Sequence, residues 1–150
     1  MQLACKSARE LCETLLEESG NAILTGAFDA FAETVWVPFD IETYKGRSRL
    51  NTMEDMCALF DHLYAHQKKL RITDMVRNCV EAEFKDSGTL YATYETRLLC
   101  GAALVQAPYP VFCIYKFNGA RWQASSMTFA IDDSDEHNEL LLSAGERLTA

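Results

Sequence analysis

Basic residues are scarce in this chain of 150 residues, which has 14 Lys and Arg against 22 Asp and Glu and a formal net charge of −8. Nucleic-acid binders neutralise phosphates with clustered Lys and Arg, so this balance argues against a nucleic-acid partner. Long apolar runs are missing too, since no stretch reaches the roughly 20 residues that span a bilayer. Residues 1–20 are charged and lack the apolar centre of a signal peptide. We therefore expect a cytoplasmic protein with no membrane partner.

Motifs for metals, redox cofactors and activated nucleophiles are also missing. None of the six cysteines stands in a Cys-x-x-Cys pair, which excludes a zinc knuckle and a thioredoxin-type redox motif. We expect these cysteines to be reduced core residues, with a lone reactive thiol as the alternative. No Gly-x-Ser-x-Gly elbow, Walker loop, dinucleotide-binding glycine motif or His-Glu-x-x-His motif occurs. The sequence predicts neither a metal site nor a cofactor.

The three histidines are expected at the surface. His62 and His66 lie four residues apart on a predicted helix, a spacing at which two imidazoles can share a metal. They fall opposite the apolar stripe that contains Met56 and Phe60, however, which indicates a solvated face. His137 follows an acidic stretch and is expected to be exposed as well.

Apolar spacing and capping residues predict the helices. Apolar residues recur at helical spacing over 8–16, which predicts a long first helix that Gly20 and Gly26 interrupt before a shorter one. Thr52 can cap a third helix, because its hydroxyl can accept a hydrogen bond from the first turn and two acidic residues follow it. The apolar stripe of this helix ends near Leu70.

The rest of the chain predicts strands. Alternation over 35–43, a Lys45-Gly46 turn and a short returning strand predict a hairpin, in which Pro38 requires a sheet edge or a bulge. Segments rich in β-branched and aromatic residues, separated by short turns, predict an antiparallel meander. A surface tail over 132–150, with a short helix over 138–143, completes the expectation. The four meander strands are predicted over 72–84, 89–105, 111–117 and 121–131.

These elements predict one α+β domain over 1–150. With 49% hydrophobic residues, the chain is long enough to bury roughly two-thirds of its unfolded surface. Few, long strands must curl, and about three helices can then close the curved antiparallel or mixed sheet into a cone with an interior. The domain core is expected over about 5–131.

Two motifs carry a resemblance to a known superfamily. The first is Pro38-Phe39-x-Ile41-x-Thr43-x-x-Gly46-Arg47, which leads to Thr52-x-Glu54-Asp55-Met56, and the second is the hairpin Val111-Phe112-x-Ile114-Tyr115-x-Phe117-Asn118-Gly119-x-x-Trp122. Together with the element order, they resemble the nuclear transport factor 2-like, or SnoaL-like, superfamily over residues 5–131. The resemblance implies a cystatin-like cone with an apolar pocket and a homodimer formed through the outer face of the sheet. Members include ketosteroid isomerases, polyketide cyclases, dehydratases and non-catalytic oxygenase subunits.

The resemblance also implies a candidate general base. Catalytic members place a carboxylate or a histidine in the pocket, where burial disfavours the ionised carboxylate and raises its pKa. Asp40 is the residue nearest to the position of the isomerase base. If Phe39 and Ile41 point into the cone, Asp40 and Glu42 point out of it, unless a bulge at Pro38 shifts the register.

The pocket itself is expected to bind a small, largely apolar molecule. Tyr94 and Tyr115 lie on strand faces with apolar neighbours, so their hydroxyls can orient a ligand oxygen or bond a backbone carbonyl. Three functions stay open: a ligand-binding domain, a cofactor-independent isomerase, cyclase or dehydratase, and a non-catalytic oxygenase subunit. The residues expected to line the pocket are Phe39, Ile41, Phe60, Tyr64, Tyr94, Tyr115 and Trp122.

Overall fold

A computed structural model describes residues 6–149 of the chain. Helices come first, and most of the strands follow, as the sequence predicts. The elements are α1 (Ala8–Thr25), α2 (Phe28–Ala32), β1 (Val35–Thr43), β2 (Gly46–Leu50), α3 (Met53–Leu70), β3 (Asp74–Asp86), β4 (Thr89–Cys100), β5 (Ala103–Leu104), β6 (Tyr109–Phe117), β7 (Trp122–Phe129), α4 (Asp135–Leu141) and β8 (Glu146–Leu148).

The strands form one curved, mixed sheet in the order β3-β4-β6-β7-β1-β2-β8, with the short β5 paired to β4. The predicted meander is present, because β3, β4, β6 and β7 pair antiparallel in succession. The predicted hairpin of β1 and β2 joins it through a parallel pairing of β1 with β7. The α+β class with a curved sheet and helices packed on it is confirmed.

Capping residues set the ends of α1. The Ser7 hydroxyl accepts a hydrogen bond from the Glu10 N–H, and the Glu10 carboxylate accepts one from the Ser7 N–H. The helix then runs through Gly20 and ends at Gly26, whose φ of 72° lies in the left-handed region. The predicted interruption at Gly20 is therefore wrong, and only Gly26 separates α1 from α2.

The same chemistry begins α3. Thr52 accepts from the Asp55 N–H and Asp55 accepts from the Thr52 N–H, so a capping box starts the helix where the sequence predicts it. The helix ends at Leu70, also as predicted, and Arg71 follows in the left-handed region. The helix packs against α1, α2, α4 and β2.

One predicted strand is divided. The sequence predicts a continuous strand over 89–105, but Gly101 adopts a φ of 61° and turns the chain, so that β5 folds back on the end of β4. Glycine adopts this left-handed conformation without the Cβ clash that other residues meet.

The C-terminal segment packs into the fold instead of forming a surface tail. The Ser134 hydroxyl accepts from the His137 N–H and starts α4 three residues earlier than predicted. Leu141 and Leu142 are buried in the core, and β8 pairs antiparallel with β2. The body of the domain therefore extends past residue 131.

Irregular strand pairing at two places sets which side chains face inward. The β1–β7 pairing is irregular between Val35 and Asp40, a span that contains Pro38, and β1 lies inside the sheet and not at an edge. The β3–β4 pairing shifts between Cys79 and Glu81, and the extra residue there is Val80. A bulge reverses the inward and outward alternation of the strand beyond it.

The predicted core role of the cysteines holds for three of them. The five cysteines within 6–149 form no disulfide, and Cys5 lies outside the described residues. Cys12, Cys79 and Cys113 are buried, whereas Cys57 is half-buried and Cys100 is exposed. No helix within the described residues is both long and apolar enough to cross a membrane.

Candidate functional site

The inner face of the sheet and the helices α1, α3 and α4 enclose a cavity of about 100 Å³. Most of its lining is apolar, with Leu15 from α1, Leu59 from α3, Leu98 from β4 and Met127 from β7 as examples. The polar groups in it are few, and they come from α1, α3, α4 and the strands. This combination of an apolar wall and a few convergent polar groups is typical of small-molecule sites.

Four of the seven predicted pocket residues line this cavity. Phe39 and Ile41 reach it from β1, Tyr94 from β4 and Tyr115 from β6, and all four are buried. The alternation along β4 confirms the predicted inner face, since Leu90, Ala92, Tyr94, Thr96 and Leu98 are all buried.

The other three predicted pocket residues, Phe60, Tyr64 and Trp122, do not line it. Phe60 is buried in an aromatic cluster, with its ring centroid 5.5 Å from that of Phe28 and 5.0 Å from that of Phe31. The Tyr64 ring lies against Gly26 at the end of α1. Trp122 contacts Phe84 and Phe117 at the far end of β3 and β6, with ring centroids 5.8 and 5.5 Å away. These side chains pack the fold around the cavity.

Asp40 lies on the outer face of the sheet. The irregular span around Pro38 comes before it and leaves Phe39 and Ile41 inward, so Asp40 keeps the outward orientation that alternation assigns. Its carboxylate pairs with the Arg49 guanidinium of β2 through contacts of 2.7 and 3.2 Å. Asp40 therefore does not meet the requirement of a base in the cavity, and the expectation for it is corrected.

Two histidines line the cavity instead, against the expectation that they are exposed. His66 of α3 and His137 of α4 are 6% and 4% exposed, with ring centroids 5.1 Å apart. His137 also makes an edge contact with the Tyr109 ring at 5.6 Å. His62 lies outside, as predicted, with its Nδ1 2.9 Å from the Ser143 hydroxyl.

Burial keeps both imidazoles neutral at pH 7. It lowers the pKa of His137 to about 4, with the neighbouring His66 acting in the same direction and Asp133 and Glu136 opposing it. Burial also lowers the pKa of His66, against the opposing effect of Glu136. A neutral imidazole has one ring nitrogen that donates and one that accepts, so each ring can give or take a proton.

The neighbours of the two rings assign them different roles. The Glu136 carboxylate lies 3.9 Å from Nδ1 of His66 and favours the proton on that nitrogen, which leaves Nε2 as the acceptor. This Nε2 is buried and has no hydrogen-bond partner in the described part of the chain. The Gln106 amide donates to Nδ1 of His137 at 3.2 Å, which leaves the His137 proton on Nε2. In these tautomers, which the neighbouring groups favour, the pair holds one acceptor and one donor.

His66 stands between the cavity and the solvent. Besides the cavity, its ring lines an open cleft between α3 and α4, together with Lys69 and Glu136. The Lys69 ammonium pairs with Glu136 at 2.7 Å, and it is the main cause of the lowered pKa of that carboxylate. His66 is therefore the residue that borders both the cavity and the outer cleft.

Three phenols add hydroxyl donors. Burial raises the pKa of Tyr94 and Tyr115, and it raises that of Tyr109 to about 12, so all three stay protonated. The Tyr94 hydroxyl donates to the Met127 thioether at 3.7 Å, a weak acceptor. Thr96 Oγ1 is buried and unpartnered within residues 6–149.

One arginine completes the polar lining. Arg77 of β3 pairs with Thr96 of β4 and points inward with it, whereas Glu81, beyond the bulge at Val80, pairs with the outward Thr93. Without the bulge, alternation would put Arg77 and Glu81 on the same face of the sheet; the bulge puts them on opposite faces. No group of three or more His, Cys, Asp or Glu suited to a metal ion occurs among the described residues.

No family model matches the sequence, and no curated protein matches it either. Solved structures do resemble the fold. A domain of unknown function from Nostoc punctiforme PCC 73102, described as cystatin-like, aligns with a TM-score of 0.65 and 14% identity over 91% of this chain and 85% of that one. A nuclear transport factor 2-like protein from Novosphingobium aromaticivorans aligns with a TM-score of 0.62 and 15% identity over 91% and 89%.

A third similar structure is a protein of unknown function from Mycobacterium tuberculosis, with a TM-score of 0.64 and 12% identity over 93% of this chain and 91% of that one. Similarity at these identities establishes the fold and carries no activity from one protein to another. The chain therefore has the nuclear transport factor 2-like, cystatin-like fold that its motifs resemble.

Proposed function

We propose that this domain binds a small, largely apolar molecule in the cavity between its sheet and its helices. The observation that carries the proposal is an interior space of about 100 Å³ with mostly apolar walls in an otherwise packed core. An engineered apolar cavity of roughly 150 Å³ binds benzene, so a ligand with a single ring is at the upper limit of this smaller space and requires its walls to adjust. Met75 and Met127 line the space, and their flexible side chains can adjust to such a ligand.

Filling the cavity is expected to abolish binding of benzyl alcohol as a test ligand. Ala124 is buried in the cavity wall, and Ala124→Leu adds three carbons to the enclosed space. Ligand-observed NMR should show binding by the wild type and a loss of at least about fivefold in the variant, since overpacking costs roughly 1–3 kcal/mol. Ala120→Leu, at an exposed turn, is the matched control and should bind like the wild type. Equal binding by all three proteins contradicts the proposal, and circular dichroism checks that Ala124→Leu is folded.

A second candidate function is proton transfer on a carbonyl compound without a cofactor. The observation that favours it is the buried His66–His137 pair, in which one ring presents an acceptor and the other a donor. Removal of a proton next to a carbonyl needs a base at the carbon and a donor at the oxygen. This pair takes the place that the sequence assigns to Asp40.

We also propose a homodimer through the outer face of the sheet. Phe112 of β6 is 37% exposed there and packs edge-on against Tyr91 of β4, with ring centroids 5.4 Å apart. Val76 of β3 adds another exposed apolar side chain on this face. Exposed apolar side chains on one face of a sheet favour an interaction surface.

Placing a charge on this face is expected to convert the dimer to a monomer. Phe112→Lys would bury two ammonium groups at a symmetric contact, which is strongly unfavourable. Light scattering should give twice the chain mass for the wild type and the single-chain mass for the variant. Tyr44→Lys, at a residue 64% exposed beside the β1–β2 turn, should stay dimeric. A monomeric wild type, or a dimeric Phe112→Lys, would rule out this interface.

A further inference from the structure

Arg77 brings a positive charge to the cavity without a carboxylate to balance it. Its Nη2 donates to the Leu16 carbonyl at 2.6 Å and to the Ser19 hydroxyl at 2.7 Å, and both acceptors are uncharged. No Asp or Glu within residues 6–149 lies within 4.0 Å of the guanidinium. The hydrogen bonds given above come from Nη2, and the guanidinium also lies against Tyr94, where its charge opposes the rise that burial causes in the pKa of that phenol.

Four other arginines form ion pairs on the surface. Arg49, Arg97, Arg121 and Arg147 each lie within 3.5 Å of a carboxylate. Arg77 is half-buried. Because burial removes water from its charge, the charge needs a partner to compensate the loss. The chain has 22 acidic residues, but none of those within residues 6–149 pairs with Arg77. A negatively charged group of a ligand could therefore pair with this guanidinium.

On the cavity side, two hydroxyl groups that can donate lie near Arg77. The guanidinium carbon lies 5.5 Å from the centroid of the Tyr94 ring, and the Tyr94 hydroxyl has only a thioether as its acceptor. Thr96 pairs with Arg77 across the strands and carries an unpartnered buried hydroxyl. Protonated phenols and hydroxyls beside a guanidinium favour a negatively charged oxygen.

The fold makes room for this arginine at a specific residue. At Gly20 of α1, a Cβ atom would lie 3.1 Å from Nη2 of Arg77, which is tighter than ordinary contact. The absence of a side chain there lets the guanidinium reach the Leu16 carbonyl and the Ser19 hydroxyl. These contacts hold one edge of the guanidinium and leave its other N–H groups available.

We propose that the natural ligand of the cavity carries a carboxylate, which binds the free N–H groups of Arg77. The ligand is then a small aromatic or aliphatic acid, with its apolar part against the cavity wall and its carboxylate beside Tyr94 and Thr96. This inference rests on the proposed binding function and adds the charge of the ligand to it. Arginine suits the role because its planar guanidinium matches the geometry of a carboxylate.

Benzoate and benzamide test the inference, because they have nearly the same shape and differ in charge. The wild type is expected to bind benzoate at least about tenfold more tightly than benzamide, a preference typical of a charge-assisted hydrogen bond. Arg77→Gln should remove that preference and leave benzamide binding within about twofold. Arg97→Gln is the matched control, since it removes an arginine from the outer face of β4, where Glu95 pairs with it at 2.7 Å.

The possible outcomes separate the two proposals. Equal binding of benzoate and benzamide by the wild type overturns the carboxylate inference and leaves the binding function intact. A failure of benzoate, benzamide and benzyl alcohol to bind overturns both. If Arg77→Gln does not fold, Arg77→Lys retains the charge and should keep a preference for benzoate, and a Lys variant without that preference counts against the inference. The preference of the wild type for benzoate over benzamide can be measured without any variant.

Discussion

The free energy of unfolding is expected to fall by about 3 kcal/mol as the pH is lowered from about 6.5 to about 4, through His137. Burial is the main reason, because the imidazole sits 4% exposed between α3 and the sheet and loses hydration when it is charged. Urea denaturation at a series of pH values measures the effect.

The sign follows from the proton balance. The folded-state pKa of His137 is about 4, below the 6.5 of an unstructured chain, so between these values the unfolded state binds a proton that the folded state does not. Lowering the pH therefore favours unfolding. The destabilisation by His137 is absent above about pH 6.5 and grows until the pH reaches about 4. His66, whose pKa is also lowered, acts in the same direction. Asp133, Glu136 and Lys69 face the pair and shift its pKa values from outside.

The matched variants are His137→Asn and His62→Gln. Asn cannot titrate, so His137→Asn should remove most of the slope between about pH 6.5 and 4. His62 is exposed at the helix surface, and its replacement should leave the slope unchanged. A wild-type slope that survives in His137→Asn would show that the acid sensitivity arises elsewhere.

Local chemistry explains why the helices could be predicted. The capping boxes at Ser7 and Thr52 lie within four residues of sequence, and each satisfies N–H groups that the helix leaves free. The inner face of β4 was predictable for a similar reason, since its strict alternation continues over nine residues from Leu90 to Leu98. Patterns that depend on neighbours along the chain can be read from the sequence.

The orientation of Arg77 could not be predicted, because distant residues hold the bulge that sets it. Arg9 of α1 donates to the carbonyls of Cys79 and Val80 at 2.6 and 2.9 Å, and Glu13 accepts from the Cys79 N–H at 3.0 Å. These contacts pair the backbone groups that the bulge leaves without a strand partner. The side chains that make them belong to α1, some 70 residues earlier in the chain. The alternation of apolar and polar residues along β3 therefore does not indicate these contacts.

The histidine site was missed for a related reason. The face of α3 opposite Met56 is solvated at His62, but at His66 it is covered by α4, a helix whose acidic first turn indicates exposure. In α4 the charged side chains point outward, and His137, Asn138 and Leu141 form its buried side. The apolar residues at 140–142 were the available signal that this segment packs on the core. Helical spacing back from Leu141 places His137 on the same face.

Replacing His66 is expected to slow proton exchange on a carbonyl compound by about 100-fold, if the cavity performs acid–base chemistry as its second candidate function states. Phenylacetone in deuterated water is the test substrate, since its benzylic C–H lies next to a carbonyl and it carries a single ring. NMR follows the replacement of hydrogen by deuterium at that carbon. His66→Gln removes the acceptor nitrogen while it keeps a polar side chain of similar reach.

The expected chemistry uses both rings. Nε2 of His66 takes the proton from carbon, the electron pair of the broken C–H bond forms a new C=C bond, and the C=O π pair moves to oxygen, whose negative charge the Nε2–H of His137 stabilises by a hydrogen bond. Glu136, 3.9 Å from His66, stabilises the imidazolium that forms. The ring exchanges its proton for deuterium through the outer cleft that it also lines, and the reverse steps return deuterium to carbon.

The histidine replacements separate catalysis from stability. His137→Gln should slow exchange less than His66→Gln, because a Gln amide can still donate to the carbonyl oxygen but cannot take a proton from carbon. His62→Gln, one helical turn from His66 but outside the cavity, should exchange at the wild-type rate. The rate should also fall at acid pH as His66, whose pKa burial lowers, becomes protonated and loses its acceptor nitrogen. A wild type that exchanges no faster than free imidazole at equal concentration, or a His66→Gln variant as fast as the wild type, would leave the cavity as a binding site without this chemistry.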